Sequence, residues 1–529
     1  MRLPRFANPL ARRVRLDRLD ADDLPGLARN PSYRAPSAAD VLDPARAELP
    51  EPPRMSEAER RLLDAVLADP DADAPRLAYA HWAERQGDTP RAELIREQVK
   101  TARGGTRTPA RITADQTPDR DPDPRSSALK SAFIRVLSSF CAAQDLVVRR
   151  GFVEGMSLSG RSFVSLGDIL LWLAPLREVR LVAVRPFVGE LARCPHLGKL
   201  RRLELAGNRI GPVGVRELAG SGLLGGLREL GLDANDLGPD GLAALLAAAW
   251  VPGLAAVELA DNRLGPAEAR AVAAAAWPNL VALDLSRNPL GTDGTEGLAK
   301  AGFLPRLRRL AVSRCGLGPV GAGALFAGRL GSLTELDISV NGIGPDGAAA
   351  LAEDGSLSKL AALDLEFNDI ESAGAEAVAT SEALGAIVSL NLAGNRITAA
   401  GAEALAESDV LGSVEELDLT TNPIGDGGAV ALVRGEALAS LSRLSLANCG
   451  ITDAGVKALA ACPDLAGLHE LDLTGTRIGL AATVALAGSE NLADLRTLTL
   501  GENHRLPADA VALLAERFPT TTNSTPVTR

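Results

Sequence analysis

The 529-residue chain is poor in rings: aromatic residues make up 3% of it, with 2 tyrosines, 4 tryptophans and 10 phenylalanines. A large catalytic domain usually spends more aromatics on its core and pocket walls, so one big globular enzyme is disfavoured. The 4 histidines (His81, His196, His469, His504) are scattered. The 5 cysteines (Cys141, Cys194, Cys315, Cys449, Cys462) form no CxxC pair and no cluster with histidine. That pattern supports neither a zinc site nor a disulfide framework, and it fits a reducing compartment. Long apolar runs are missing as well: GLAALLAAAW (241–250) is too short to span a bilayer. The start, MRLPRFANPLARRVRL, is basic but has no apolar stretch of secretory length. A cytoplasmic protein with no membrane partner is expected. There is no basic excess, since the net charge is −11. Such a chain repels a phosphate backbone, so no nucleic-acid partner is expected. Neither G-x-x-x-x-G-K-[ST], nor a G-x-G-x-x-G placed after a strand, nor H-E-x-x-H occurs. No cofactor, no metal and no catalytic residue is therefore assigned.

Leucine, alanine and valine are abundant, beside 52 glycines and 33 prolines, a composition of short elements and frequent turns. A phrase LxxLxLxxNxL recurs twelve times at a period of 26 or 27, from LRRLELAGNRI (200–210) through LTELDISVNGI (333–343) and LAALDLEFNDI (360–370) to LRTLTLGENHR (495–505). LREVRLVAVRP (176–186) is a thirteenth, degenerate copy. Within LxL, apolar and polar residues alternate as in a strand with one buried face. A turn residue follows, usually glycine, often with proline next (Gly211-Pro212, Gly344-Pro345), which reads as a cap and first helical position. A small residue and an apolar one four later, as in Gly374 and Val378, place one helix stripe against the strands. Each unit is thus strand, turn, helix and return.

Asn208, Asn235, Asn262, Asn288, Asn341, Asn368, Asn395, Asn422 and Asn503 share one column, where the chain leaves the strand and turns inward. A buried amide there can serve backbone donors and acceptors that no ladder reaches. Cys315, Cys449 and Thr476 occupy the same column, which makes those two cysteines structural.

These segments resemble the leucine-rich repeat family, in its ribonuclease-inhibitor-like subclass, over about two thirds of the chain. The resemblance implies an α/β fold: a right-handed leucine-rich-repeat solenoid, a horseshoe with parallel strands inside and helices outside. Ahead of it, residues 55–100 read as a small all-helical module. Ser56 and Glu59 form a capping box, Pro75 opens a second helix with Tyr79 and Trp82, and RAELIREQ (91–98) makes a third. The run DPDADAPRLAYAHWAERQGDTPRAELIREQ resembles the bacterial repeat-companion domain, with His81 where that family usually has an acidic residue. The family has no established activity, so this likeness implies architecture only.

The expected organisation is an extension at 1–54 that is disordered or lies upstream of the true start, the module at 55–100, and a flexible linker at 101–125. A cap with the degenerate repeat follows at 126–185, then the solenoid at 186–518 with a capping helix at 508–518, and a disordered tail at 519–529. The piece RGFVE (150–154) is similar to the lead-in to the repeats in companion-domain proteins.

The middle residue of LxL should line the inner, open wall. Down the stack it includes Glu204, Glu258, Asp284, Asp337, Asp364, Asp418 and Asp472, with no basic residue among the twelve positions. Phe367 is the aromatic expected on that wall. An acidic groove for a basic protein or peptide is the reading that follows, against the alternative that aspartate there only satisfies backbone groups. The expected protein is a monomeric, non-enzymatic interaction scaffold. The alternative is a GTPase-activating or other catalytic regulator built on the same horseshoe. Ser442 beside His469 is read as a solvated pair rather than a nucleophile and base. Arg306, Arg308, Arg309 and Arg314 interrupt the acidic wall or pair with Asp284 and Glu335.

Overall fold

A computed structural model describes residues 55–104, 124–137, 144–435, 439–503, 506, 508–518 and 520–522. The extension at 1–54, most of the expected linker, Cys141 and His504 lie outside the described residues. The described chain divides into two compact units within the repeat array: one runs to Asp236 and includes Ala247–Leu254, the other comprises Leu237–Leu246 and the residues from Ala255 on.

The first unit begins with helices α1 (Glu57–Ala68), α2 (Asp73–Arg85), α3 (Thr89–Gly104) and α4 (Pro124–Leu137). Ser56 caps α1 by accepting from Glu59 N at 3.1 Å. The Glu59 carboxylate takes the Tyr79 hydroxyl at 2.9 Å. Both edges of the expected linker are helical, because α3 runs to Gly104 and α4 starts at Pro124, where Arg125 pairs with Glu93 at 3.7 Å and with Glu97. Strands β1 (Gln144–Arg149) and β2 (Phe152–Ser159) form an antiparallel hairpin. Helix α5 (Gly160–Leu173) follows, and then β3 (Glu178–Val182), β4 (Arg202–Glu204) and β5 (Glu229–Gly231), each parallel to the strand before it. The hairpin covers the edge that a parallel stack leaves with unpaired N–H and C=O groups.

The helical module does not hang free on a tether. Phe152 of β2 is part of its core, with Leu63, Val66, Tyr79, Ala83 and Ile95. Its ring lies 5.1 Å from that of Tyr79, edge to face. Gly151 stands at φ 74°, and a Cβ there would lie 2.0 Å from Ile95 Cγ1. Its N–H donates to Gln98 Oε1 at 2.7 Å. Beside it, fully buried Arg76 pairs with Glu154 at 2.7 Å and donates to the carbonyls of Pro70 and Arg149. RGFVE is therefore the plug that joins module to sheet.

In the second unit ten strands of three residues follow one another: β6 (Ala256–Glu258), β7 (Ala282–Asp284), β8 (Arg309–Ala311), β9 (Glu335–Asp337), β10 (Ala362–Asp364), β11 (Ser389–Asn391), β12 (Glu416–Asp418), β13 (Arg443–Ser445), β14 (Glu470–Asp472) and β15 (Thr497–Thr499). All are parallel with no register slip, so Leu336, Leu363, Leu390, Leu417, Leu444, Leu471 and Leu498 stand side by side at 0–2% exposure. Each strand is followed by a helix, such as Gly344–Glu353 and Glu371–Thr380. The small stripe brings helices together: a Cβ on Gly374 would sit 3.0 Å from Ala348 Cβ of the preceding helix. Trp277, 2% exposed, donates to Val272 O at 3.0 Å, and Trp250 in the first unit donates to Ala219 O at 3.3 Å. Both indoles pack as expected of the helical side.

The tail departs from expectation. Thr520–Thr522 form β16, parallel to β15, after the capping helix Ala508–Arg517. Three β-branched threonines suit a strand, and pairing them satisfies an edge that β15 would otherwise expose.

Candidate functional site

The asparagine column carries the backbone between repeats. Asn395 Nδ2 donates to Leu365 O at 2.8 Å and Leu392 O at 3.0 Å, while its Oδ1 accepts from Asn368 N at 2.8 Å and Ile370 N at 3.4 Å. Asn341, Asn368 and Asn422 repeat the pattern, and Asn208 makes the equivalent bonds in the first unit. Asn235, Asn262, Asn288 and Asn503 are buried in the same way. Cys315 and Cys449 supply only the donor half: their thiols donate to Leu285 O at 3.2 Å and Leu419 O at 3.0 Å. Burial pushes both thiols up to about 12, far from a reactive thiolate.

A family model described as leucine-rich repeat matches residues 196–219, 278–299, 332–352, 356–379, 387–406, 413–433 and 437–460. These segments are leucine-rich repeats. Among solved structures, the chain is similar to one from the Rad7 and Elc1 complex in yeast, at 17% identity, covering 64% of this chain and 81% of that one, with a TM-score of 0.43. It is also similar to an internalin (inlF) from Listeria monocytogenes, at 18% identity, 65% and 95% coverage and a TM-score of 0.38. No curated protein matches the sequence.

The midpoints of the leucine-rich repeats do not form an open carboxylate wall. Glu204 is 8% exposed in the first unit, and in the second Glu258, Asp337 and Asp472 are 5%, 4% and 1% exposed. Asp284, Asp364 and Asp418 are half-buried. The reason is local. Strands in register about 4.8 Å apart hem each midpoint between its column neighbours, and the carboxylate folds forward onto its own backbone. Asp284, Asp337, Asp364, Asp418 and Asp472 each accept, through Oδ1, the N–H of the residue two ahead, at 2.8–3.0 Å. Asn391 makes the same bond to Ala393 N at 3.0 Å. Glu204 does so with the longer arm, accepting from Ala206 N at 2.9 Å while its carboxylate lies over Gly231. Aspartate at the midpoint is first of all a cap for the end of a very short strand.

Burial also shifts where several of these carboxyl groups titrate. Burial first, then Asp337 and Glu366, hold Asp364 well above the usual carboxylate range. Burial, then Asp418 and Asp337, raise Glu366 to about 7, against the pull of Arg314 and a bond from Asn391. Burial raises Asp418 to about 6, with Asp472 adding to it and bonds from Thr420 opposing. Asp472 is raised by burial as well. The raised carboxyl groups therefore lie on and beside β10–β14. Glu366 belongs to this group and is absent from the midpoint list; the period of two, which puts it on the same face as Asp364, is the signal that finds it.

The basic residues of the fifth repeat are distributed. Arg309 pairs with Glu335 at 3.5 Å, and Arg306 donates to Trp277 O at 3.1 Å on the helical side. Arg314 faces Glu366 and, with Asp261, Asp284 and Asp337, surrounds Arg287, whose pKa falls chiefly through burial. Arg314 and Arg287 thus border the acidic stretch rather than cross it. Ser442 donates its hydroxyl to Glu415 O at 3.1 Å, so it is not aligned on His469, whose N–H meets Ser442 O.

Phe367 follows Glu366 and remains 39% exposed, with φ 51°. Its ring lies over Gly394: a Cβ on that glycine would sit 2.4 Å from ring atoms.

Among the described residues no cluster of His, Cys, Asp and Glu could hold a metal ion, and no helix is long and apolar enough to cross a membrane.

Proposed function

We propose that the chain is a non-enzymatic protein–protein interaction scaffold that takes a basic protein or peptide on the acidic face of the second unit. The observation that carries this reading is that Asp364, Glu366, Asp418 and their neighbours Asp337 and Asp472 gather on one stretch of the sheet, where burial first and then the neighbouring carboxylates hold Asp364, Glu366 and Asp418 above their ordinary range. A cation brought to that face would offset both the burial of these carboxylates and the repulsion among them. In the same reading the repeats are of the ribonuclease-inhibitor-like subclass, supported by the 26–27-residue period with one helix per repeat. Residues 55–100 are a repeat-companion module, and the scaffold works as a monomer in a bacterial cytoplasm.

The test is fluorescence anisotropy of a labelled nona-lysine peptide with the full chain, at about 25 mM and about 300 mM salt, a span over which screening of exposed charge becomes strong. The informative variant is D364N/E366Q/D418N, because Asn391 already performs the strand-capping job with an amide and the fold should survive. Binding should weaken at least tenfold with salt and again in the variant. Salt-independent binding, or a variant that binds like the parent, removes this face from consideration.

A further inference from the structure

We infer that Phe367 and the carboxylates around it form a seat for a single arginine side chain of the basic partner, the guanidinium lying on the ring and donating to the half-buried Asp364 or Asp418, with buried Glu366 behind them. This rests on the functional reading above and adds the group that is recognised.

One feature of Phe367 supports it. The backbone position just before the asparagine column is left-handed in repeat after repeat, whatever fills it: Gly394 and Gly475, but also Asp261, Arg314, Val340, Thr421 and Phe367. The repeat fold therefore sets that backbone conformation, and the side chain it carries is chosen for other reasons. Burial is not the reason for an aromatic here, since 39% of Phe367 stays in solvent. A large ring left exposed beside carboxylates is a candidate for a role outside stability.

The surroundings define the ligand. Gly394 leaves one ring face resting on bare backbone, so the ring is held flat rather than projecting. Glu366 precedes it in the chain, Asp364 ends β10 three residues before it, and Asn391 of the next repeat bonds both carboxylates. An aromatic face attracts cations through its quadrupole, and carboxylates take N–H donors. Guanidinium satisfies both at once, because it is planar enough to stack and presents its donors in the stacking plane; an ammonium is a compact, strongly hydrated point charge. A purely apolar partner would leave several carboxylates desolvated and unpaired.

The test compares nona-arginine with nona-lysine on the full chain. F367A should weaken nona-arginine about three- to tenfold, the range that a partly desolvated cation–aromatic contact spans, and nona-lysine less than twofold. F367L keeps the bulk without the π face and should behave like F367A, whereas F367W should bind as well as the parent or better. F367G should melt no lower than the parent, which separates loss of the seat from loss of fold. If both peptides bind and D364N/E366Q/D418N abolishes binding but the Phe367 variants do not matter, the arginine seat is wrong and the acidic-face reading stands. If neither peptide binds at low salt, both fail. If the chain sediments as a dimer whose dissociation is what F367A changes, the occupant is a second copy, and the seat for a foreign arginine is overturned.

Discussion

At the scale of single residues, the interior of the repeats is a problem of polar accounting. Each asparagine of the buried column can donate twice and accept twice, and Asn395 does all four. Cysteine at the equivalent positions 315 and 449 donates through its thiol and leaves the acceptor side to others. The two residue types therefore define a scale of cost. Asn395→Cys should be the mildest change, at about 1 kcal/mol, while Asn395→Val, which strands every partner, should cost about 2–4 kcal/mol. The measurement is the urea midpoint of the full chain, read separately by circular dichroism and by hydrogen exchange in this repeat, because a solenoid need not unfold as one cooperative body. Equal costs for Cys and Val would mean that the column acts by shape and not by hydrogen bonding. The reverse change, Cys449→Asn, should raise the midpoint by restoring a missing acceptor.

At the scale of elements, the repeats were legible in the sequence and the junction with the helical module was not. Strand, turn, asparagine and helix all recur within one 26- or 27-residue phrase, so twelve copies average away the ambiguity of any one of them. The junction has no such redundancy. Arg76 meets Glu154 across 78 positions, and Gln98 meets Gly151 across 53. No local period announces such contacts. The short piece RGFVE was visible as a lead-in, but its sequence does not say that Phe152 points back into the module rather than forward into the sheet. The acidic residues were equally visible by name, whereas their burial depends on what stands beside each of them in the column. The junction gives a direct prediction. Gly151→Ala places a Cβ against Ile95 at a left-handed backbone position, and Phe152→Ala empties part of the module core. Each should cost about 2–4 kcal/mol locally and should raise amide exchange in α1–α3 while leaving β9–β14 protected. If instead protection in α1–α3 is unchanged, the module holds itself together and the docking seen at Phe152 is dispensable.

At the scale of the whole molecule, the raised carboxyl groups give stability and binding opposite dependences on pH. Glu366 near 7 and Asp418 near 6, with Asp364, Asp472 and Glu154 also raised chiefly by burial, hold protons more tightly in the folded state than in the unfolded chain. For such groups the stabilisation is complete below their ordinary carboxylate values and is lost as pH rises through the folded values. Asp426 and Glu84 are lowered instead, by bonds from Thr452 and Gly455 against the opposing effect of burial, and by Arg96; they act in the more acid range and leave the interval from about pH 5 to 7.5 to the raised groups. The melting temperature should therefore fall by about 1–2 °C between those pH values, the shift expected of one or two kcal/mol in a chain of this size. D364N/E366Q/D418N should flatten most of that slope. A basic partner reverses the sign, because it prefers the ionised carboxylates: affinity should rise over the same interval, and binding near pH 6.5 should release protons. Calorimetry in two buffers of different ionisation enthalpy measures that release directly. A melting temperature that climbs from pH 5 to 7.5, or a binding reaction that takes protons up, would mean that these carboxylates are already paired within the fold and are not waiting for a cation.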